Sequence, residues 1–141
     1  MAKTSTSIVA LFSIHPQYAD QILEGTKKVE FRKRRPKEQI TDVLIYATSP
    51  TCKVVGSFKV DSIEEGTPQS LWTRYSSVGG IEKSDYEAYY DQCDSSIAII
   101  VGEVTCFQHP LEIEDVNGKS TPPQSFEYVS HHVLERLSPA S

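Results

Sequence analysis

The stretch Gly25–Lys37, GTKKVEFRKRRPK, combines a turn signal, an alternating pattern and a cluster of positive charge. Seven lysines and arginines accompany a single carboxylate, Glu30, so the segment carries +6. Since the whole chain carries −5, the remainder carries −11. An acidic body with one basic segment can orient an anionic ligand onto that segment. The alternative is a solvated strand edge, on which lysine and arginine discourage aggregation.

Apolar and charged residues alternate after Gly25, with Val29 and Phe31 on one face of the segment. This period of two predicts a half-buried strand that ends before Pro36. Residues 16–24 predict a short helix, because a proline suits the first helical position and a glycine the residue after the last. The stretch therefore begins where a helix gives way to a strand.

The rest of the sequence predicts further strands over residues 42–50, 53–63 and 95–108, the last with a bulge or bend at Gly102. Two short helices are expected, one starting at Thr67 and one at a capping box of Ser84 and Glu87. Residues 117–130 predict a loop that leads into a weakly amphipathic segment around Val129, Val133 and Leu137. One barrel core is expected to contain the following apolar residues: Val29, Phe31, Val54, Phe58, Ile100 and Val104. A tyrosine stripe is expected in the core rather than as a stacking platform: Tyr86, Tyr89 and Tyr90.

Length and element order indicate one domain over residues 1–141, with a core at about 8–129 and a peripheral segment at 130–141. A chain of 141 residues with 38% hydrophobic residues can bury one core. The strands do not alternate regularly with long helices, which favours an α+β fold. The expected architecture is a small, mostly antiparallel β-barrel with short helices inserted at its ends.

Several classes of protein are not indicated by the sequence. The longest apolar runs, such as Ile97–Val101, are far shorter than a membrane span requires, and Met1–Ser7 is polar. No membrane partner is therefore expected. The expected location of the protein is the cytoplasm. The three cysteines form no Cys-x-x-Cys and are expected to be buried, reduced thiols. The four histidines show no metal-ligand spacing, so neither metal nor cofactor is expected.

Four residues of the opening stretch, Gly25, Lys27, Glu30 and Arg32, form the pattern G-x-K-x-x-E-x-R. This pattern resembles the signature of the ASCH domain family, whose members are PUA-like β-barrels. Further segments extend the resemblance over nearly the whole chain: FSIHPQYADQILEG, YATSP, VVGSF and PPQSFEY. The resemblance implies a curled barrel with a cleft beside the motif. It also implies RNA or a nucleotide-like molecule as ligand and, in some members, hydrolytic activity.

Glu30 and Arg32 stand two residues apart on one strand face, about 7 Å along the strand, so they can pair or be bridged by a ligand. The carboxylate then has two candidate roles. It fixes a cationic side chain in place, or it accepts hydrogen bonds from the amino group of a base. A structural Glu–Arg pair within the strand is the competing interpretation.

Lys27 stands at the start of the predicted strand, where it is expected at the mouth of a pocket. If it is partly desolvated, its pKa falls and the amine can act as a base or nucleophile. The chain also resembles small amidohydrolases that remove the acetyl group from acetylated cytidine, using the motif lysine, a threonine and a glutamate. Only Lys27 matches that set, because Glu30 occupies the threonine position. The third residue is not assigned, with Glu64, Glu65 and Glu103 equally placed.

The predicted function is a nucleic-acid or nucleotide-binding module for RNA or a modified nucleoside. The alternative is a small hydrolase acting on modified nucleosides or RNA, with Lys27 and Glu30 as catalytic residues. An adaptor protein is least favoured, and no protein partner is predicted. The candidate ligand-binding residues lie in the basic segment and in two further loops: Lys27, Glu30, Arg32, Arg34, Arg35, Ser49, Gln124 and Ser125.

Overall fold

The computed structural model of the chain describes residues 7–136, so Leu137 lies outside the described part. Six strands form one sheet in this part of the chain, in the order β2-β5-β4-β3-β1-β6. The strands are β1 (Val9–Ile14), β2 (Val29–Arg32), β3 (Asp42–Ala47), β4 (Lys53–Gly66), β5 (Ser96–Leu111) and β6 (Phe126–Val129). The helices are α1 (Pro16–Glu24), α2 (Pro68–Tyr75), α3 (Lys83–Tyr89) and α4 (Ile113–Asn117), with short 3-10 segments at Ser76–Val78 and His131–Arg136.

The sheet is mixed and curls into a half-barrel. Strand β1 pairs in parallel with β3, whereas the other four neighbouring pairs are antiparallel. The predicted α+β, mostly antiparallel, PUA-like architecture with short helices is confirmed, as a half-barrel whose two outer strands are β2 and β6. Within the described residues, no helix is long and apolar enough to cross a membrane.

Local sequence signals set some of the helix ends. Helix α1 ends at Gly25, which adopts a left-handed φ of 89°, where glycine carries no steric penalty. Helix α2 begins after Thr67, which forms a capping box with Ser70. The expected capping box of Ser84 in α3 is wrong, because that helix already begins at Lys83 and its start has no side-chain cap. Ser84 therefore lies inside the first turn rather than before it.

The buried apolar residues form three clusters, so the expectation of one shared core is wrong. Phe58 packs in a cluster with α1, and Val54 lies in a second cluster with α4. Val29 and Phe31 belong to a third cluster beneath α2 and α3. The remaining two members of the predicted set are partly buried: Val104 against the first cluster and Ile100 against the third.

A β-bulge explains why the side chains of Val54 and Phe58 lie on opposite faces of the sheet, although the two residues are an even number of positions apart. Strand β3 pairs Ile45 with Gly56 but Tyr46 with Val54, so one step on β3 spans two steps on β4. The extra residue reverses the alternation of side chains along β4. Val54 therefore joins Tyr46 on the other face of the sheet.

A second irregularity lies where a bulge or bend was expected at Gly102. The register of β4 and β5 moves from the pair Phe58–Val104 to the pair Val60–Val101, so β5 gains one residue there. The prediction is confirmed. Such a bulge increases the local twist and helps a long strand to curl.

Two further expectations are wrong. Residues 117–130 contain strand β6, a four-residue strand that follows two prolines and pairs with β1. So short a segment carries little periodic signal. The three cysteines are free but not buried, since Cys52 and Cys106 are exposed and Cys93 is half-buried.

Gly56 provides a test of the close packing between β4, β5 and α1. A Cβ atom at this position would lie 2.6 Å from Leu23 Cδ2 and 2.6 Å from the backbone oxygen of Thr105. We expect Gly56→Ala to lower the free energy of unfolding by about 1–3 kcal/mol, as overpacked cores do. Urea denaturation measures the change, and Ser57→Ala, the next residue on the strand, is the control with an expected change within about 0.5 kcal/mol. Equal stability of wild type and Gly56→Ala would contradict this packing.

Candidate functional site

The two outer strands of the half-barrel are joined by the side chain of Arg32, the last residue of β2. Its Nε donates a hydrogen bond of 3.0 Å to Oε2 of Glu30 on the same strand. A terminal nitrogen donates to the backbone oxygen of Ser13 on β1 at 2.8 Å, and the other donates to Oγ of Ser125 at 3.1 Å. Because Ser125 immediately precedes β6, the guanidinium links both edges of the sheet. We call this junction the seam.

Apolar and backbone contacts reinforce the seam. The Arg32 guanidinium lies over the ring of Phe12, 4.9 Å from its centroid, and that ring stacks on Phe126 of β6 at 5.1 Å. The hydroxyl of Tyr90 donates to the backbone oxygen of Arg32 at 2.8 Å. The side chains of Arg32 and Glu30 are only 14% and 9% exposed. The pair is therefore buried, and the arginine is occupied by internal acceptors.

Glu30 uses only one of its two carboxylate oxygens in the seam. Oε2 accepts from Arg32, while Oε1 has no hydrogen-bond partner among residues 7–136. Both side chains line a cleft beside the seam. Of the two roles considered for the carboxylate, fixing the arginine is the one that the geometry displays, and the second oxygen remains available to a ligand.

Lys27 lies deep in the site rather than at its mouth, which corrects the expected position. Two amide groups after Gly25, those of Thr26 and Lys27, donate to the backbone oxygen of Gln21, and this turn directs the chain under the segment that follows α2. The residue is 3% exposed, and Nζ donates to the backbone oxygen of Gly79. The side chain of Lys27 therefore lies on the same buried face of the segment as Val29.

The environment of the Lys27 amine shifts its protonation equilibrium towards the neutral form. Burial lowers the pKa of Lys27, and the charge of Arg32 acts in the same direction, whereas the Glu30 carboxylate opposes them. The amine lies 5.0 Å from the centroid of the Tyr18 ring and 5.5 Å from that of Phe31. A buried lysine with a lowered pKa can serve as a proton acceptor as well as a cation.

The cleft has a volume of about 430 Å³, within the usual range of small-ligand sites. Its floor is formed by Lys27, Glu30 and Arg32. The other lining side chains come from β1, α1, β2, α3 and the loops beside them, and they are aromatic, polar or aliphatic: Ser13, Ile14, His15, Tyr18, Phe31, Ile81, Asp85, Tyr89 and Gln124. The cleft therefore offers ring faces, a carboxylate and an amine to one ligand.

The structure brings together some of the candidate binding residues and leaves others apart. Gln124 lines the cleft, and Ser125 is bonded to the seam. Ser49 is exposed in the turn after β3 and does not line the cleft. Arg34 is exposed beyond the end of β2, and Arg35 pairs with Glu65 at 3.0 Å. Neither arginine lines the cleft.

The tyrosine stripe of α3 divides between core and cleft. Tyr86 and Tyr90 are buried as expected, and burial raises the pKa of Tyr86 to about 12. Tyr89, which was expected in the core, is half-buried and lines the cleft, with Nζ of Lys33 4.8 Å from its ring centroid. The helical spacing of the tyrosines could have predicted this position of Tyr89. The residue is three positions after Tyr86, which puts it at the edge of the buried face of the helix.

Another polar cluster lies at the start of β4. Burial raises the pKa of Tyr46, as do a hydrogen bond with Cys52 and the charge of Glu112. Lys53 pairs with Glu112 beside them. None of these residues lines the cleft. Among residues 7–136, no group of three histidine, cysteine, aspartate or glutamate side chains is arranged to hold a metal ion.

Comparisons with known proteins identify the family of this chain and solved structures with a similar fold. A model of the ASCH domain family matches residues 12–117. An ASCH domain-containing ribonuclease of Zymomonas mobilis is 26% identical over 132 residues, covering 91% of this chain and 88% of that protein. The crystal structure of ASCH from Zymomonas mobilis superposes with a TM-score of 0.85 at 25% identity, covering 94% of this chain and 98% of the other.

A longer relative contains a similar segment. The large ribosomal subunit protein uL22 of Ureaplasma parvum serovar 3 is 33% identical over 125 residues, which cover 88% of this chain. The match covers 40% of that protein, so this chain corresponds to less than half of its length.

Arg32 provides a test of the seam. We expect Arg32→Ala to lower the free energy of unfolding by about 3–5 kcal/mol, because it leaves the buried Glu30 carboxylate without its partner. Arg34→Ala, an exposed arginine two residues away, is the matched control and should change stability by about 0.5 kcal/mol or less. Chemical denaturation followed by tryptophan fluorescence measures both. Equal losses in the two variants would show that the seam does not stabilise the fold.

Proposed function

The chain belongs to the ASCH domain family, and we propose that it binds single-stranded RNA with one nucleotide held in the cleft. The observation that carries the proposal is the cleft itself, which is lined by the buried amine of Lys27, the carboxylate of Glu30 and the rings of Tyr18 and Tyr89. The relative from Zymomonas mobilis is described as a ribonuclease, which supports RNA as the class of ligand.

The walls and floor suit an unpaired nucleotide. Proteins recognise single-stranded RNA by stacking its bases on aromatic side chains and by hydrogen bonds to the base edges. Tyr18 and Tyr89 provide rings at the cleft, Glu30 Oε1 accepts from an amino or imino group, and Lys27 donates to a ring nitrogen or carbonyl. A neighbouring donor and acceptor would then fix the orientation of the base.

Phosphate contacts are assigned to the exposed part of the basic segment. Arg32 is hydrogen-bonded within the seam and Arg35 pairs with Glu65. Among the exposed cations of the segment, Lys33 and Arg34 are the two that directly follow the cleft residue Arg32. Lys33 lies over the Tyr89 ring, which places positive charge beside that wall. Each such contact releases counterions, so binding weakens as salt increases.

Cleavage of the bound RNA is the second candidate, and the lowered pKa of Lys27 favours it. The neutral amine would take the proton of a ribose 2′-hydroxyl, whose oxygen then attacks the adjacent phosphorus. The bond from phosphorus to the 5′-oxygen breaks, and that oxygen takes a proton from water. The products are a 2′,3′-cyclic phosphate and a 5′-hydroxyl end.

Deacetylation of acetylated cytidine has less support from the cleft. Glu30 stands at the threonine position and is held by Arg32. The three carboxylates considered as the missing residue do not line the cleft: Glu64 pairs with Arg74, Glu65 pairs with Arg35, and Glu103 is exposed.

RNA binding can be tested by replacing Lys27. We expect Lys27→Ala to weaken the binding of a fluorescent single-stranded oligonucleotide by about 5- to 150-fold, the loss of one charge-assisted hydrogen bond. Lys28→Ala, an exposed lysine next to it in sequence, should weaken binding less than about threefold. Fluorescence anisotropy at fixed salt measures both, and circular dichroism verifies that each variant is folded. Equal effects of the two substitutions, or no binding by the wild type, would contradict the proposal.

The pH dependence of turnover distinguishes binding from cleavage. If Lys27 is the base, the cleavage rate should rise with pH up to its pKa, which lies below the ordinary lysine value of 10.5, because only the neutral amine accepts a proton. Lys27→Arg should bind RNA within about threefold of wild type but lose cleavage, since guanidinium stays charged. Gel analysis of a labelled oligonucleotide measures the rate. Cleavage retained by Lys27→Arg would exclude the amine as the base.

A further inference from the structure

A second cavity continues the cleft on the side of α1 and the start of α3. It shares three side chains with the cleft, Tyr18, Ile81 and Asp85, and has a volume of about 490 Å³. Two carboxylates, Glu82 and Asp85, line it, and none of its lining residues is a lysine or arginine. Its other polar side chains are serines and glutamines. This second cavity, which adjoins the cleft, is therefore acidic.

Positive charge lies beside Tyr89, another residue that lines the cleft. Asp85 and Tyr89 are four residues apart on α3, so they occupy one face of the helix about 6 Å apart along its axis. Lys33 lies over Tyr89, and Arg34 follows it in the chain. Helix α3 itself carries one cation, Lys83, whose Nζ lies 3.9 Å from Oε2 of Glu87. This lysine lines a different cavity, towards α2. Charge thus changes sign along the cleft, from Asp85 to Lys33.

Such a gradient affects a nucleic-acid strand differently from a single nucleotide. An internal nucleotide has a phosphate on each side, so a strand passing through the cleft would place one phosphate near Glu82 and Asp85. No lining cation would compensate the repulsion there. A strand that ends in the cleft avoids this repulsion and leaves towards Lys33 and Arg34.

The acidic cavity also has chemistry of its own to offer. Carboxylates accept hydrogen bonds, and paired ribose hydroxyls are donors that protein carboxylates bind. A second acceptor, Oε1 of Gln21, is buried without a hydrogen-bond partner in the described part of the chain. Of the two ends of an RNA strand, only the 3′ end has a free 2′,3′-diol. The acceptors around Asp85 therefore suit a 3′-terminal ribose.

We propose that the cleft selects the 3′-terminal nucleotide of an RNA strand, with Asp85 accepting hydrogen bonds from the terminal diol and the strand leaving over Lys33 and Arg34. The inference rests on the proposed RNA-binding function. Asp85 is assigned as a specificity-determining residue, because its charge admits a hydroxyl end and repels a phosphate. If the chain cleaves RNA by the route given above, the attacking 2′-hydroxyl belongs to the nucleotide before the terminal one. A single terminal nucleoside then leaves with a 5′-hydroxyl, because the new cyclic phosphate end has no diol.

The test compares one short RNA sequence in three forms: linear with a 3′-hydroxyl, linear with a 3′-phosphate, and circular. We expect the 3′-hydroxyl form to bind at least about tenfold more tightly than either of the others. Asp85→Asn should bind the 3′-phosphate and 3′-hydroxyl forms within about threefold of each other. Glu87→Gln, which removes a carboxylate from the same helix outside both cavities, should preserve the discrimination.

The outcomes separate this inference from the function on which it rests. Equal binding of circular and 3′-hydroxyl RNA by the wild type would overturn end selection while leaving RNA binding intact. Undiminished discrimination in Asp85→Asn would overturn the role of that carboxylate. Absence of binding to all three forms would instead refute the proposed function, and with it this inference.

Discussion

The hydrogen bonds of the Arg32 guanidinium are the constraint on which the site depends. A curled, open sheet has two outer strands with unpaired backbone groups, and here β2 and β6 occupy those positions. Arg32 joins β2 to Ser13 of β1 and to Ser125 before β6, and the stacked rings of Phe12 and Phe126 lie beneath it. The cleft lies beside this junction, so its floor depends on the closure of the half-barrel.

The spacing of the G-x-K-x-x-E-x-R motif follows from that geometry. Gly25 permits the left-handed residue that ends α1, after which the chain enters β2. Glu30 and Arg32 must be two apart to share a strand face, and there the carboxylate orients the guanidinium. Lys27 alternates onto the other face and extends under Gly79. One short segment thus supplies the closure of the sheet and the amine of the cleft.

Signals confined to neighbouring residues were readable from the sequence, whereas contacts between distant segments were not. Proline at the start of α1 and Gly25 at its end defined that helix, and alternation defined β2. The buried position of Lys27 was missed because the residues that cover it, around Gly79, are 52 positions away. The prediction of a single core was wrong for a similar reason. The bulge beside Val54 moves the side chains of β4 to the opposite face of the sheet, and no local sequence signal marks that bulge.

The two candidate functions correspond to two protonation states of one side chain. A protonated Lys27 can hold an anion or a base carbonyl, whereas the neutral amine can remove a proton. Burial and Arg32 favour the neutral state, and Glu30 opposes it. Oε2 of Glu30 already pairs with Arg32, so part of the negative charge of Glu30 is compensated. Its effect on the pKa of Lys27 is therefore smaller. A phosphate next to the amine would raise its pKa, whereas a stacked neutral base would add only desolvation and lower it further. Under the proposed function, the part of the nucleotide that contacts Lys27 therefore determines which of the two candidate activities the cleft has.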